Sequence, residues 1–248
     1  MKPVDAHCHL NFKQYDEDRK EIIEEARDKL EFIGVPGVNL ESNREVLELQ
    51  EDYLDFVVPS LGLHPTYTDS FDEVDEIMEQ IREEDPAAVG EIGLDYHHVT
   101  DDDMRQLQEK VFRKLLSLAE ELEKPVVVHS REAEEKAIEI IREDDPPEAF
   151  MHCFNGTPEL AEKAVDQGMK LGVTTQVLYS TQVQDIVEKI DPEHLILETD
   201  SPFLYRGGRN RPVNVLESAE KISEVKNVSE NDVIKKTTAN ANSIHQVS

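Results

Sequence analysis

The chain has 248 residues, with 26 Lys and Arg against 55 Asp and Glu, and a formal net charge of −29 at pH 7. That length can bury a full core, as one large α/β domain or two small ones. No apolar run approaches the ~18 residues that span a membrane, no charged-then-apolar leader is present, and two cysteines make no disulfide framework, so a soluble, cytoplasmic protein is expected.

The acids are spread along every helical stretch, and apolar periodicity persists throughout. A disordered acidic chain would lack that periodicity. The reading is therefore a folded, halophilic-type protein with an acidic solvated surface. Aromatic residues make up 6% and Trp is absent, which argues against a nucleic-acid groove built on many stacking platforms.

Short apolar runs alternate with longer amphipathic ones from end to end. Strands are expected at Val4–His9, Phe32–Val38, Phe56–Leu61, Ala88–Ile92, Pro125–His129, Ala149–His152, Lys170–Val173 and Leu195–Thr199. Strand alternation in the first run would put Asp5, His7 and His9 on one face, with Ala6, Cys8 and Leu10 on the other. The clearest helix runs from Asp101 to Glu123, with Met104, Leu107, Val111, Leu115, Leu118 and Leu122 on one face. Thr100 and three aspartates open it, acids favouring the positive end of the helix dipole, and Pro125 stops it. Closing helices are expected over Pro212–Ser223 and Ser229–Ala241. Eight strands alternating with helices argue for an α/β fold, a (β/α)8 TIM-type barrel in a single domain spanning 1–248; an open sheet is the alternative.

In such a barrel, reactive groups sit at the C-terminal ends of the strands. His7 and His9 end the first run, His64 follows the third and Glu91 ends the fourth. His129 and His152 end the fifth and sixth, and Asp200 follows the eighth. Metal-ligating side chains thus fall at one end of most strands, in a chain with nine histidines. Glu198 shares the strand face of Asp200 and is placed to support a ligand. Cys8 and Cys153 are expected to face the helix layer as small apolar residues. His97 and His98 are adjacent in a loop and should diverge, in solvated or supporting roles; His194 and His245 receive no role.

The motifs VDAHCHL, GLHP, GEIGLDY, PVVVHSREA, HCFNG and LETDSPFL, in this order, resemble the TatD family of metal-dependent deoxyribonucleases, within the amidohydrolase-like barrels. The resemblance implies a barrel holding two divalent ions. Carried over by motif, His7, His9 and Asp200 would bind one, His129 and His152 the other, and Glu91 would bridge them. It further implies hydrolysis of DNA, 3′ to 5′ on single strands; no membrane contact is expected from the composition, and no obligate protein partner is inferred.

The residue chemistry agrees, since paired ions can activate water and stabilise both oxygens of a phosphodiester displacement. Asp200 could bind metal and orient that water, and His64 could contact a phosphate oxygen or assist the leaving group. Imidazole-rich ligation suits Zn2+, Mn2+ or Co2+ better than Mg2+, which the resemblance keeps in play. Phosphate contacts are expected from Arg206, Arg209 and Arg211 in the loop after Asp200, from Arg131, and from Asn155.

Two stretches depart from the family pattern. Asn210-Arg211-Pro212 stands where an Asn-Glu-Pro run is usual, and Val173-Thr174-Thr175-Gln176 lacks the usual glycines. Both bear on substrate size and end preference. The rival readings are an aminoacyl-tRNA deacylase or other ester hydrolase on the same centre, and a nucleic-acid-binding module without turnover.

Overall fold

The computed structural model describes residues 1–247, so the last residue of the expected 1–248 unit lies outside them. Seven parallel strands form one curled sheet in sequential order: β1 (Ile33–Pro36), β2 (Val57–Leu61), β3 (Ala88–Asp95), β4 (Val126–Arg131), β5 (Ala149–Met151), β6 (Lys170–Val173) and β7 (Leu195–Leu197). Helix α1 (Arg19–Lys29) precedes β1. The crossovers are α2 (Leu40–Asp52), α3 (Val74–Glu84), α4 (Asp102–Glu121), α5 (Glu134–Asp144), α6 (Pro158–Val165) and α7 (Thr181–Lys189). After β7 come α8 (Val215–Lys226) and α9 (Glu230–Ile244). No helix among the described residues is long and apolar enough to cross a membrane.

The helix signals in the sequence are local and most are realised close to where they were read. Asp101 caps α4 by accepting from the Met104 amide, and Ser229 caps α9 by accepting from that of Asp232. The face of α4 carrying Val111, Leu115 and Leu118 is buried. Each fully buried side chain of that size contributes roughly 1.5–3 kcal/mol. Residues 212–214 instead form a short 3-10 turn, so the first closing helix starts at Val215.

The first expected strand, Val4–His9, is not a regular strand. It touches the sheet through single bridges, Asp5 to Ile33 and Cys8 to Ser201. The hydrogen bonds show why. The Gly34 amide donates to the Asp5 carbonyl, while the Gly34 carbonyl accepts from the Cys8 amide. A regular parallel ladder would use residues 5 and 7, so one extra residue is inserted, as in a bulge. On the other edge, Ala6 donates to the Leu197 carbonyl and His9 to that of Ser201. The segment therefore bonds to both β1 and the chain around β7. Gly34 permits the approach, because a Cβ there would lie 2.3 Å from the Ala6 carbonyl oxygen.

The extra residue also corrects the expected faces. Ala6 packs inside the sheet with Val127, Phe150 and Ile196. The Asp5 carboxylate turns instead to Thr199, accepting from its amide at 2.8 Å and its hydroxyl at 2.6 Å. Asp5 thus replaces a backbone acceptor and leaves the face that His7 and His9 occupy. Beneath those histidines, Ala241 and Ile244 of α9 complete the inner apolar layer.

Candidate metal centre

The side chains converge at the C-terminal end of the sheet. His129 lies near the end of β4, and His152, Asp200 and His64 follow β5, β7 and β2. Glu91 does not end its strand: β3 continues to Asp95, with a register irregularity between Val89 and Ile92.

Glu91 is the hub. Its Oε2 lies 3.4 Å from His7 Nε2 and 3.8 Å from His9 Nε2. Its Oε1 lies 3.0 Å from His129 Nδ1, 3.3 Å from His64 Nε2 and 3.9 Å from His152 Nε2. Asp200 Oδ1 stands 3.4 Å from His9 Nε2 and 3.7 Å from His152 Nε2. His7 and His9 bring their Nε2 atoms within 3.3 Å of each other. All of the candidate ligands drawn from the motifs are therefore brought together, and His64 sits directly on Glu91.

Two of the imidazoles are braced from behind. His152 Nδ1–H donates to Glu198 Oε2 at 2.6 Å, which leaves Nε2 facing the centre. His129 is held the opposite way, with Nε2 2.9 Å from Asp95 Oδ2 and Nδ1 inward. A carboxylate on the outer ring nitrogen fixes the tautomer and raises the basicity of the inner one. Gly172 makes room for the Glu198 brace, since a Cβ there would lie 2.0 Å from Glu198 Oε1. Asp95 also holds His98, at 3.0 Å, while His97 turns away to Glu132. Asp95 received no role from the sequence reading. Its signal was position, four residues beyond Glu91 on the same strand.

The electrostatics separate these groups. Burial, helped by His152, lowers His7 to about 3, so it is neutral with a free ring lone pair. Burial alone would lower His152, but Glu198 and Asp200 push it up to about 10. Burial opposes the charge on Glu91, yet His64, together with a hydrogen bond from His129, holds it well below the usual carboxylate range. Asp200 is also held low, by His9 and His152 against the effect of burial.

The donor set fits a metal. Glu91 Oε2 is buried without a hydrogen-bond partner, an arrangement that costs free energy unless something else satisfies it. His7, His9 and Glu91 offer ligand atoms within 4.8 Å of one another, as do His64, Glu91 and His129. Neutral imidazoles and ionised carboxylates are the forms that bind divalent ions: His7, Glu91 and Asp200 are already in them, and His152 would give up its inner proton on binding one.

A sequence profile of the family described as TatD related DNase matches residues 4–246. The chain belongs to the TatD family. Among its relatives, an uncharacterised metal-dependent hydrolase, MJ1582 of Methanocaldococcus jannaschii, is 37% identical, with 96% of each chain covered. The human deoxyribonuclease TATDN3 is 32% identical over 96% of this chain and 92% of its own. The solved structure of the TatD homologue YjjV from Escherichia coli superposes with a TM-score of 0.88 at 28% identity, covering 99% of this chain and 98% of that one. This TatD chain is accordingly a metal-dependent hydrolase.

The remaining sequence candidates surround the centre in different states. Arg131 is exposed at the end of β4. Asn155 donates to Gln176 Oε1 at 2.9 Å. Arg206 lies over the Tyr179 ring, 4.3 Å from its centroid. Arg209 is paired with Asp18 and lies over Tyr15, and Arg211 binds Glu25 at 2.8 Å. Asn210, wholly buried between them, donates to the carbonyls of Thr199 and Phe203 and so fixes the loop.

Cys153 does not face the helix layer. It follows the end of β5 with φ of 47°, so strand alternation no longer applies to it. Its thiol, with Asp200 and His152, forms one of the clusters of ligand atoms at the mouth, not part of the helix layer. Cys8 does pack in the apolar layer beneath the helices.

Proposed function

We propose that this chain is a deoxyribonuclease that hydrolyses phosphodiester bonds of single-stranded DNA from the 3′ end, with two divalent ions at the Glu91 centre. The observation that supports two ions is the division of Glu91: one oxygen faces His7 and His9, the other faces His129, His64 and His152. A carboxylate flanked on both oxygens is arranged to bridge. His7, His9 and Asp200 would complete one position, and His129 and His152 the other.

When bound, such ions lower the pKa of water and offset phosphate charge. The protein's own groups supply the rest. Asp200, held ionised and open to the cavity, accepts a hydrogen bond from the attacking water at Oδ1 and orients it. Glu198 and Asp95 keep His152 and His129 turned inward. His64 is fixed by Thr66 through Nδ1 at 2.8 Å, and its Nε2, on the cavity wall 3.3 Å from Glu91 Oε1, is assigned to a phosphate or leaving-group oxygen that takes over that contact. The chamber, about 220 Å³, has room for one phosphate and its nearest substituents. Arg206, Arg131 and Asn155 are assigned to neighbouring phosphates, and the segment at residues 4–9 to the eighth stave of a barrel in one domain.

The test offers the purified protein end-labelled single- and double-stranded DNA, RNA and charged tRNA, with Mg2+, Mn2+, Zn2+ or Co2+. Stepwise shortening of single-stranded DNA from the 3′ end is expected. Release of amino acid from tRNA with DNA left intact would move the reading to ester hydrolysis on the same centre.

A further inference from the structure

The metal chamber opens into a second chamber of 340 Å³, within the range of small-molecule sites. The two share Phe12, Val38, Tyr67 and Phe203 as common walls. Tyr67 is 37% exposed and Phe203 is 42% exposed, and among the described residues they are the only exposed aromatic side chains. In a chain this poor in aromatics, both flank one opening.

These walls stand directly on the centre. Phe12 stacks on His9 with ring centroids 4.5 Å apart, and Phe203 meets Phe12 edge-on at 6.3 Å. Tyr67 meets His64 edge-on at 6.2 Å. The second chamber is also lined by Glu41, Glu45 and Asn39. Carboxylates there repel a phosphate but accept hydrogen bonds from ring N–H and amino groups. The walls therefore favour a flat, uncharged group attached to a phosphate at the centre, with ring N–H or amino donors for these carboxylates.

Resting on the nuclease reading above, we propose that this second chamber is a nucleobase subsite: it takes the unstacked base of the nucleotide next to the scissile phosphate between Phe203 and Tyr67. Base stacking on aromatic side chains is sequence-tolerant, because every base has a π face. A base paired in a duplex is not free to enter, so the subsite selects single strands. Lys13, on the rim and without an ion-pair partner among the described residues, is placed for the next phosphate.

The test uses the full chain with its divalent ion and single-stranded oligonucleotides carrying either a normal or an abasic residue beside the cleaved bond. Phe203→Ala and Tyr67→Ala should each raise KM about tenfold for the normal substrate and less than twofold for the abasic one. A phosphorothioate-linked trinucleotide containing 2-aminopurine should be quenched on binding, with quenching lost in both variants and restored in Phe203→Trp. Equal KM changes on both substrates, or quenching unaltered by the substitutions, would overturn the subsite while leaving the nuclease reading in place. Aromatic-dependent quenching without cleavage of any DNA would leave the subsite standing and remove the nuclease reading.

Discussion

The Glu91 centre and the loop from Tyr205 to Arg211 lie beside the same end of the sheet, and both hold side chains suited to a phosphodiester. Their charges are balanced in opposite ways. At the centre, buried imidazoles and carboxylates face one another, and Glu91 Oε2 is left without a hydrogen-bond partner. In the loop, Arg209 and Arg211 have found Asp18 and Glu25 on or next to α1. In a chain of net charge −29, a carboxylate partner is the default for an arginine. Convergence of unpaired ligand atoms is not a default, and is the more informative of the two.

The largest expected effect tests the hub. Glu91→Gln keeps the shape but loses the negative charge that both halves of the centre face. Activity should fall by at least a hundredfold with unchanged circular dichroism, and metal analysis should show reduced loading. A folded variant with near-normal turnover would make the convergence uninformative.

The braces come next. Asp95→Asn and Glu198→Gln should each weaken metal binding by about 10–100-fold, measured by calorimetric titration. Gly172→Ala reaches the same result without altering a ligand or brace, by placing a Cβ against Glu198 Oε1. Affinity within twofold of the parent in all three would show that the inner ligands orient themselves.

A smaller effect separates the arginines. Arg206→Ala should raise KM for DNA several-fold, because that guanidinium has a ring beneath it and no carboxylate partner among the described residues. Arg209→Ala and Arg211→Ala should change KM less than twofold and lower stability by no more than about 1 kcal/mol, as partly exposed ion pairs do. Thermal denaturation beside kinetics distinguishes these outcomes. A KM increase shared by all three would mean the pairs open to receive phosphate.

The smallest effect concerns the whole surface. The screening length shrinks from ~10 Å at 0.1 M salt to ~3 Å at 1 M, which weakens repulsion among surface acids and between the protein and DNA. Folded fraction should rise, and kcat/KM should rise a few-fold, over that range of KCl. After division by the folded fraction, a steep fall in kcat/KM would show that local phosphate contacts outweigh the global field.

Much of this protein was legible in the residue order. Short apolar runs and amphipathic stretches are local signals, so the strands from β1 to β7, helix α4 and the closing helices could be read from them. The histidines and carboxylates at the strand ends could also be read, because one end of a parallel sheet gathers whatever follows each strand. Other features depended on residues far apart in the chain. An extra residue against Gly34 moved Asp5 away from His7, and only the pairing of residues 4–9 with both sheet edges reveals it. Asp95 became a brace when β4 placed His129 beside it. Cys153 left the helix layer once its strand had ended, and Arg209 was claimed by Asp18, 191 residues away. Alternation and spacing specify which way a side chain points while its element lasts. Which partner it meets is decided by burial and charge between elements, and those distances exist only in the folded chain.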